Sequence, residues 1–184
     1  MKYKWLYILG SMLLVAMVYG SAPAGAVYGT GEHYATPSWD QTLPAFIRFV
    51  VLLNMNGEAV LDKETGLVWE QSPDGVNAYT WEEAQSHCNA LETGGRMGWR
   101  LPTLQELASL VDPMRSNPAL PMGSPFRNVQ LSDYWSATTS VRDTSDAWVV
   151  SFGTARLTFH VDNDTKNKPL PAWCVRGGRG VDPQ

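Results

Sequence analysis

The residues of this chain that could do chemistry are few, and most stand apart from one another. There are two cysteines, Cys88 and Cys174, 86 positions apart. Free, they would be candidate nucleophiles or redox thiols; paired, they would be a staple across most of the fold. The three histidines, His33, His87 and His160, show no metal-ligand spacing, and each is expected to be a surface histidine rather than a ligand or base. Eighteen acidic residues are present, but no pair can be singled out for glycoside chemistry without geometry. One cluster has the oxygen chemistry that calcium takes, Asp162-Asn163-Asp164, with Asp143 and Asp146 as further acids. Calcium is therefore the one cofactor left open, and otherwise neither a cofactor nor a catalytic constellation is expected. Lys166 and Arg142 are cations in the same polar stretches, and Trp39 is the tryptophan best placed for exposure. These seven residues (Trp39, Arg142, Asp143, Asp162, Asn163, Asp164 and Lys166) are the candidate ligand contacts.

The compartment decides how the cysteines read. Lys2 and Lys4 precede an apolar run, Trp5 to Val18, and small residues follow as far as Ala24-Gly25-Ala26. That is the layout of a secretory signal peptide, with cleavage after Ala26. The run is short of the roughly 20 residues that span a bilayer, so no stable membrane insertion is expected after cleavage. Export to the periplasm, the cell surface or the medium makes a Cys88–Cys174 disulfide the expectation, with two free thiols as the alternative. Cleavage removes two lysines and no acid, which moves the net charge from −4 to −6. Such a chain has no overall field to attract nucleic acid or anionic lipid.

The elements that must position these residues can be read in order. Residues 27–45 form an exposed arm rich in Gly and Pro. Phe46 to Asn54 reads as a buried strand, followed by short strands at Ala59–Leu61 and Leu67–Glu70. Thr80 with Glu83 is a capping box, and Trp81, Ala84, Cys88 and Leu91 follow on one helical face. Gly94-Gly95 stops that helix. Thr103 with Glu106 repeats the box, Leu104, Leu107, Ala108 and Val111 form the second apolar face, and Asp112-Pro113 closes it. A long loop runs from Pro113 towards Tyr134. Strands are expected at Tyr134–Thr138, Ala147–Phe152, Arg156–Val161 and Ala172–Arg176, with polar loops at 139–146 and 162–169 and a tail at 179–184. Strands, two helices, then strands define an α+β domain over residues 46–178. Six tryptophans, Trp69, Trp81, Trp99, Trp135, Trp148 and Trp173, fall within elements or at their edges and are expected mainly in the core.

Four motifs occur in a fixed order: Thr65-Gly66-Leu67-Val68-Trp69; Thr80-Trp81-Glu82-Glu83-Ala84 with Cys88; Gly98-Trp99-Arg100-Leu101-Pro102-Thr103 with Glu106 and Leu107; and Tyr134-Trp135-Ser136-Ala137-Thr138 with Trp173-Cys174-Val175-Arg176-Gly177. The set resembles the bacterial domain family named for the C-terminal domain of the Legionella collagen-like adhesin. More distantly, it resembles the C-type lectin fold and its relative, the formylglycine-generating sulfatase-modifying domain. The resemblance implies a C-type-lectin-like mixed fold in which the first-helix cysteine pairs with one in the last strand. It further implies attachment to glycans, sulfated ones included, or to host surfaces. The chain departs from these relatives in lacking a collagen-like repeat and in its acidic balance. It also lacks the Glu-Pro-Asn, Gln-Pro-Asp and Trp-Asn-Asp signatures of calcium-dependent lectins. The expected function is a non-catalytic exported recognition domain that binds a glycan or protein surface through loops 113–132, 139–146 and 162–169. The alternatives are a structural subunit of a secreted or surface oligomer and, third, an enzyme related to sulfatase-modifying factors.

Overall fold

Two sheets, both of which contribute to each of two buried clusters, form the body of the molecule in the computed structural model, which describes residues 43–153 and 161–178. The expected signal peptide, most of the arm and the 179–184 tail lie outside the described residues. So do Trp39, His33, His160 and nearly all of the strand expected at 156–161. Among the described residues no helix is long and apolar enough to cross a membrane.

Helix α1 (Ala45–Arg48) opens the fold, and β1 (Phe49–Val51) follows directly. The apolar run from Phe46 is therefore not one buried strand. Phe46 and Ile47 turn to solvent, while Arg48 turns inward and is 1% exposed. Its guanidinium grips Asp62 in a fork, Nε to Oδ1 at 2.8 Å and Nη2 to Oδ2 at 2.7 Å, and Nη2 also donates to the Ser109 carbonyl. A fixed position for that buried charge ends the helix and starts the strand. Ala45, expected in the arm, is buried in the core.

β2 (Ala59–Asp62) pairs antiparallel with β1 and with β3 (Val68–Glu70). The turn between β2 and β3 is held by Asp62, which accepts from Thr65 Oγ1 and the Glu64 N–H. Gly66 takes the left-handed φ of 71° that the turn needs. β4 (Trp99–Arg100) and β8 (Val175–Arg176) complete this sheet in the order β1-β2-β3-β8-β4.

Helix α2 (Trp81–Ala90) carries the expected capping box, with Thr80 Oγ1 and the Glu83 carboxylate each satisfying the other's backbone N–H. Ala84 and Cys88 are fully buried, and Cys88 is bonded to Cys174 with the Cα atoms 5.4 Å apart. The free-thiol alternative is thereby removed. After the helix, Gly94 sits with φ 66° so close to Met55 that an added Cβ would lie 2.6 Å from the Met55 side chain. Its N–H donates to Glu58.

Helix α3 (Leu104–Ala108) has the second box, Thr103 with Glu106. The helix ends at Ala108, short of the expected Asp112-Pro113 stop, because Ser109 Oγ bonds the Glu106 carbonyl and the chain turns there. Glu106 also forks with Arg100 at 2.7 Å on both oxygens, and Arg100 reaches the Gly177 carbonyl. Gly-Trp-Arg-Leu-Pro-Thr is thus a strut that ties the start of α3 to the end of β8.

The second sheet is β5 (Asp133–Thr139), β6 (Asp146–Ser151) and β7 (Val161–Thr165), antiparallel throughout. Here the expectation of a polar loop over 162–169 is corrected. Asp162 to Thr165 are an edge strand, because main-chain pairing with β6 holds them there despite their polarity. The strand expected at Ala172–Arg176 is likewise shorter, since only Val175 and Arg176 pair and Leu170 makes an isolated bridge to Tyr79. Trp69, Trp99, Trp135 and Trp173 are buried as expected, whereas Trp81 and Trp148 are half-buried.

Candidate functional site

Irregular backbone has to find hydrogen-bond partners outside its own segment, and the loop after α3 shows where they are. Asp112 N–H donates to the Ala119 carbonyl, and Ala119 N–H donates to the Phe152 carbonyl, which ties the loop to the end of β6. Phe126 plugs into the core, edge-on to Phe49 at 5.0 Å and to Trp173 at 4.9 Å. Arg127 N–H bonds the Gln71 carbonyl, Asn128 Nδ2 bonds Ser72 Oγ, and Gln130 N–H bonds Tyr134 Oη. Leu131 then passes so close to Gly153 that an added Cβ would stand 2.2 Å from the Leu131 Cα. The loop is pinned at 119–120, at 126 and from 127 to 131, and the segments between the pins rise as walls.

Those walls enclose an open depression of about 460 Å³. Its floor is apolar, from Leu120, Phe126 and Val129, and its rim is polar, with Arg115, Asn117 and Asn128. Arg115 is 41% exposed, and its Nε makes a loose ion pair with Asp112 Oδ2 at 3.9 Å. Met114 and Met122 stand exposed beside it. Sequence reasoning indicated this loop without naming a residue in it. The cup needs Phe126 to be anchored by Phe49 and Trp173, which are distant in the chain.

The other candidate residues lie elsewhere. Arg142 and Asp143 are on the exposed turn 140–145, where Asp143 accepts from Ser145 N–H and Oγ, bonds that hold its carboxyl below the usual range. Lys166 is adjacent: its Nζ donates to Thr139 Oγ1 and the Thr144 carbonyl and lies 4.1 Å from the centre of the Trp81 ring. Lys166 is a clamp between the turn, β7 and the start of α2. Asp162 and Asp164 pair with Val149 and Ala147, while Asn163 pairs with Trp148, so the triplet alternates between the two faces of β7. Asp164 is paired with Lys168. Among the described residues no group of three or more His, Cys, Asp or Glu side chains is arranged to hold a metal.

The three expected binding loops therefore do not form one surface. The turn at 140–145 and the residues around Lys166 meet at the Asp146 end of β6, and the long loop sits at its Ser151 end, about 17 Å away for a six-residue strand.

The titratable groups add one feature that no motif announced. Glu70, 5% exposed, accepts the Cys174 N–H at 2.9 Å, and burial, aided by Asp74, pushes its carboxyl from 4.5 up to about 7. Burial works in the same direction on Asp74, but bonds from Tyr79 Oη, Asn77 and the Val76 N–H outweigh it and hold that carboxyl well below the usual range. Burial and the bond to Asp74 raise Tyr79 to about 12. Its ring stacks on His87 at 4.6 Å. His87 is thus half-buried packing and not a free surface histidine, and its buried Nε2 has no hydrogen-bond partner among the described residues.

A disulfide staple, two capped helices and a pinned surface loop hold the α+β body together. The family model of the Lcl C-terminal domain matches residues 58–176, and the chain belongs to that family. It is an adhesin-like domain, and the family and the disulfide both point to an extracellular or surface location. No curated protein matches the chain.

Proposed function

We propose that this chain is an exported, non-catalytic recognition domain that docks a glycan or a protein surface in the depression walled by residues 115–129. The observation that carries the reading is the loop's construction. Sixteen or so residues without secondary structure are fixed to both the core and the sheet, and they shape an apolar floor with a polar, cationic rim. Both thiols are consumed in the staple, and His87 is occupied with Tyr79, which supports recognition over chemistry.

Arrays of glycans and of extracellular-matrix proteins, probed with the purified domain, test the reading. Arg115→Ala and Met122→Asp should each weaken binding at least tenfold with an unchanged melting temperature. A domain that binds nothing, or binds equally well with both changes, rules it out.

A second reading, a structural subunit of a surface assembly, draws on Phe46, Ile47 and Leu53, which are 78%, 43% and 86% exposed. Light scattering with and without residues 27–42 separates the two, since a monomer in both cases removes the assembly.

A further inference from the structure

Trp148 stands in the middle of β6, yet it belongs to neither buried cluster. Its neighbours Ala147 and Val149 point into one core at 0% and 2% exposure, so Trp148 and Asp146 share the opposite face, which is half-buried at Trp148 and closed into the other core at Val150. Antiparallel pairing sets Asn163 directly across from Trp148, with Cβ atoms about 5 Å apart in such pairs. Asn163 Nδ2 donates to Asp146 Oδ2 at 2.7 Å. A half-buried indole is therefore flanked by an amide and a carboxylate held at fixed spacing.

That pair has bonding capacity left. A carboxylate has about four acceptor sites, and Asp146 uses one for Asn163 and one for a long 3.5 Å contact from Ser145 Oγ. Among the described residues nothing bonds the Asn163 carbonyl oxygen or its second amide hydrogen. An apolar ring face bordered by an acceptor and a donor matches a pyranose, whose C–H face lies on an aromatic while vicinal hydroxyls donate and accept at its edge. Charge then selects among sugars. The polar group beside the indole is the Asp146 carboxylate, with Asp143 next to it on the turn. The nearby cations Lys166 and Lys168 are engaged, Lys166 with Trp81 and the turn and Lys168 with Asp164. A sulfate or carboxylate on the sugar would meet like charge, and a neutral ring would not.

We propose that the Asp146 end of the β6–β7 face that carries Trp148, with Trp148 as platform and Asp146 and Asn163 as its polar edge, binds a neutral pyranose. The site deepens the recognition reading but is separate from the 115–129 depression, because Trp148 lies four residues up β6 from the carbonyl that anchors that loop.

The test is saturation-transfer NMR and titration calorimetry of the disulfide-bonded protein with neutral gluco-, galacto- and manno-oligosaccharides, and with heparin as the anionic comparison. At least one neutral series should bind, insensitive to 0.5 M salt, and Trp148→Ala and Asn163→Ala should each weaken it at least tenfold while Arg115→Ala leaves it unchanged. Trp148→Phe, which keeps an aromatic face, should retain part of the affinity even if Trp148→Ala folds poorly. Neutral-sugar binding that survives both Trp148→Phe and Asn163→Ala intact overturns the site, as does wild-type protein that binds no neutral sugar. In the latter case, binding of another ligand that depends on Arg115 would leave the recognition reading standing, and no binding of any kind would end both.

Discussion

Removing the charge from Glu70 should stabilise the domain above neutral pH and abolish a specific part of its pH dependence. The carboxyl lies on β3 against the main chain of the disulfide segment. Glu70 Oε2 accepts the Cys174 N–H, Glu70 N–H donates to the Cys174 carbonyl, and Trp173 Nε1 donates to the Glu70 carbonyl. Burial raises the acid from 4.5 to about 7, so the folded state prefers it protonated. Between those values the folded protein holds a proton that the unfolded chain has released, and stability falls as pH rises through that window. The contribution is fully present below about pH 4.5 and lost above about pH 7. At roughly 1.4 kcal/mol per tenfold change in acidity, the span corresponds to about 3 kcal/mol. Glu70→Gln keeps an acceptor for the Cys174 N–H and cannot ionise. Urea unfolding at intervals from pH 4.5 to 8.5 is the assay, with the wild-type minus variant difference as the readout. That difference should favour the variant increasingly towards pH 8, by about 2 to 3 kcal/mol. Parallel curves, or a wild type that gains on the variant as pH rises, would show that the buried carboxyl is not the source and refute the reasoning.

Other parts of the body make equally direct predictions. Asp62→Asn breaks the fork on the buried Arg48, which keeps Glu64 Oε2 at 3.2 Å from its Nε, and should cost about 1.5 to 3 kcal/mol in denaturant unfolding. Replacing Cys88 and Cys174 together by serine reopens a loop of 86 residues and should lower stability by about 4 kcal/mol, with reductant producing the same loss in the wild type. Gly153→Ala forces a Cβ against the Leu131 backbone and should cost about 1 to 3 kcal/mol, with hydrogen exchange accelerating in residues 126–132 before the rest. Thr103→Ala removes one half of the second capping box and should cost about 1 kcal/mol, with Arg100→Lys costing more because the forked contact to Glu106 is lost.

Features set by residues three or four apart were legible in the sequence. Both capping boxes, the inward face of Ala84 and Cys88 and the turn at Gly66 depend on near neighbours, and each stands where its spacing placed it. The disulfide was legible for a different reason, since a chain with two cysteines allows only one internal pairing. What was not legible depends on partners far along the chain. Phe46 to Asn54 has a strand's composition, but Arg48 finds Asp62 and Ser109 and turns the first half into a helix. Asp162 to Thr165 has a loop's composition, but an edge strand needs only one paired side, and β6 supplies it. Burial of Glu70 could not be inferred, because Cys174 and Trp173 cover it from 104 and 103 positions away.

The same distinction separates scaffold from site. Nearly every residue of the ordered motifs has a structural partner: Trp99 Nε1 bonds the Arg96 carbonyl, Trp135 Nε1 bonds the Tyr79 carbonyl, and Arg100 and Glu106 hold each other and Gly177. Changing one of these loosens the body, so the motifs report the fold and carry no information about a ligand. The depression at 115–129 and the Trp148 face have the opposite property. Arg115 and Met122 rim the first without holding any strand in place, and Trp148 belongs to neither buried cluster. A frame fixed by the disulfide, the Arg48–Asp62 pair and the Arg100–Glu106 strut leaves those two surfaces free to change chemistry. Ligand specificity in this domain therefore has to be sought among residues that the family motifs do not contain.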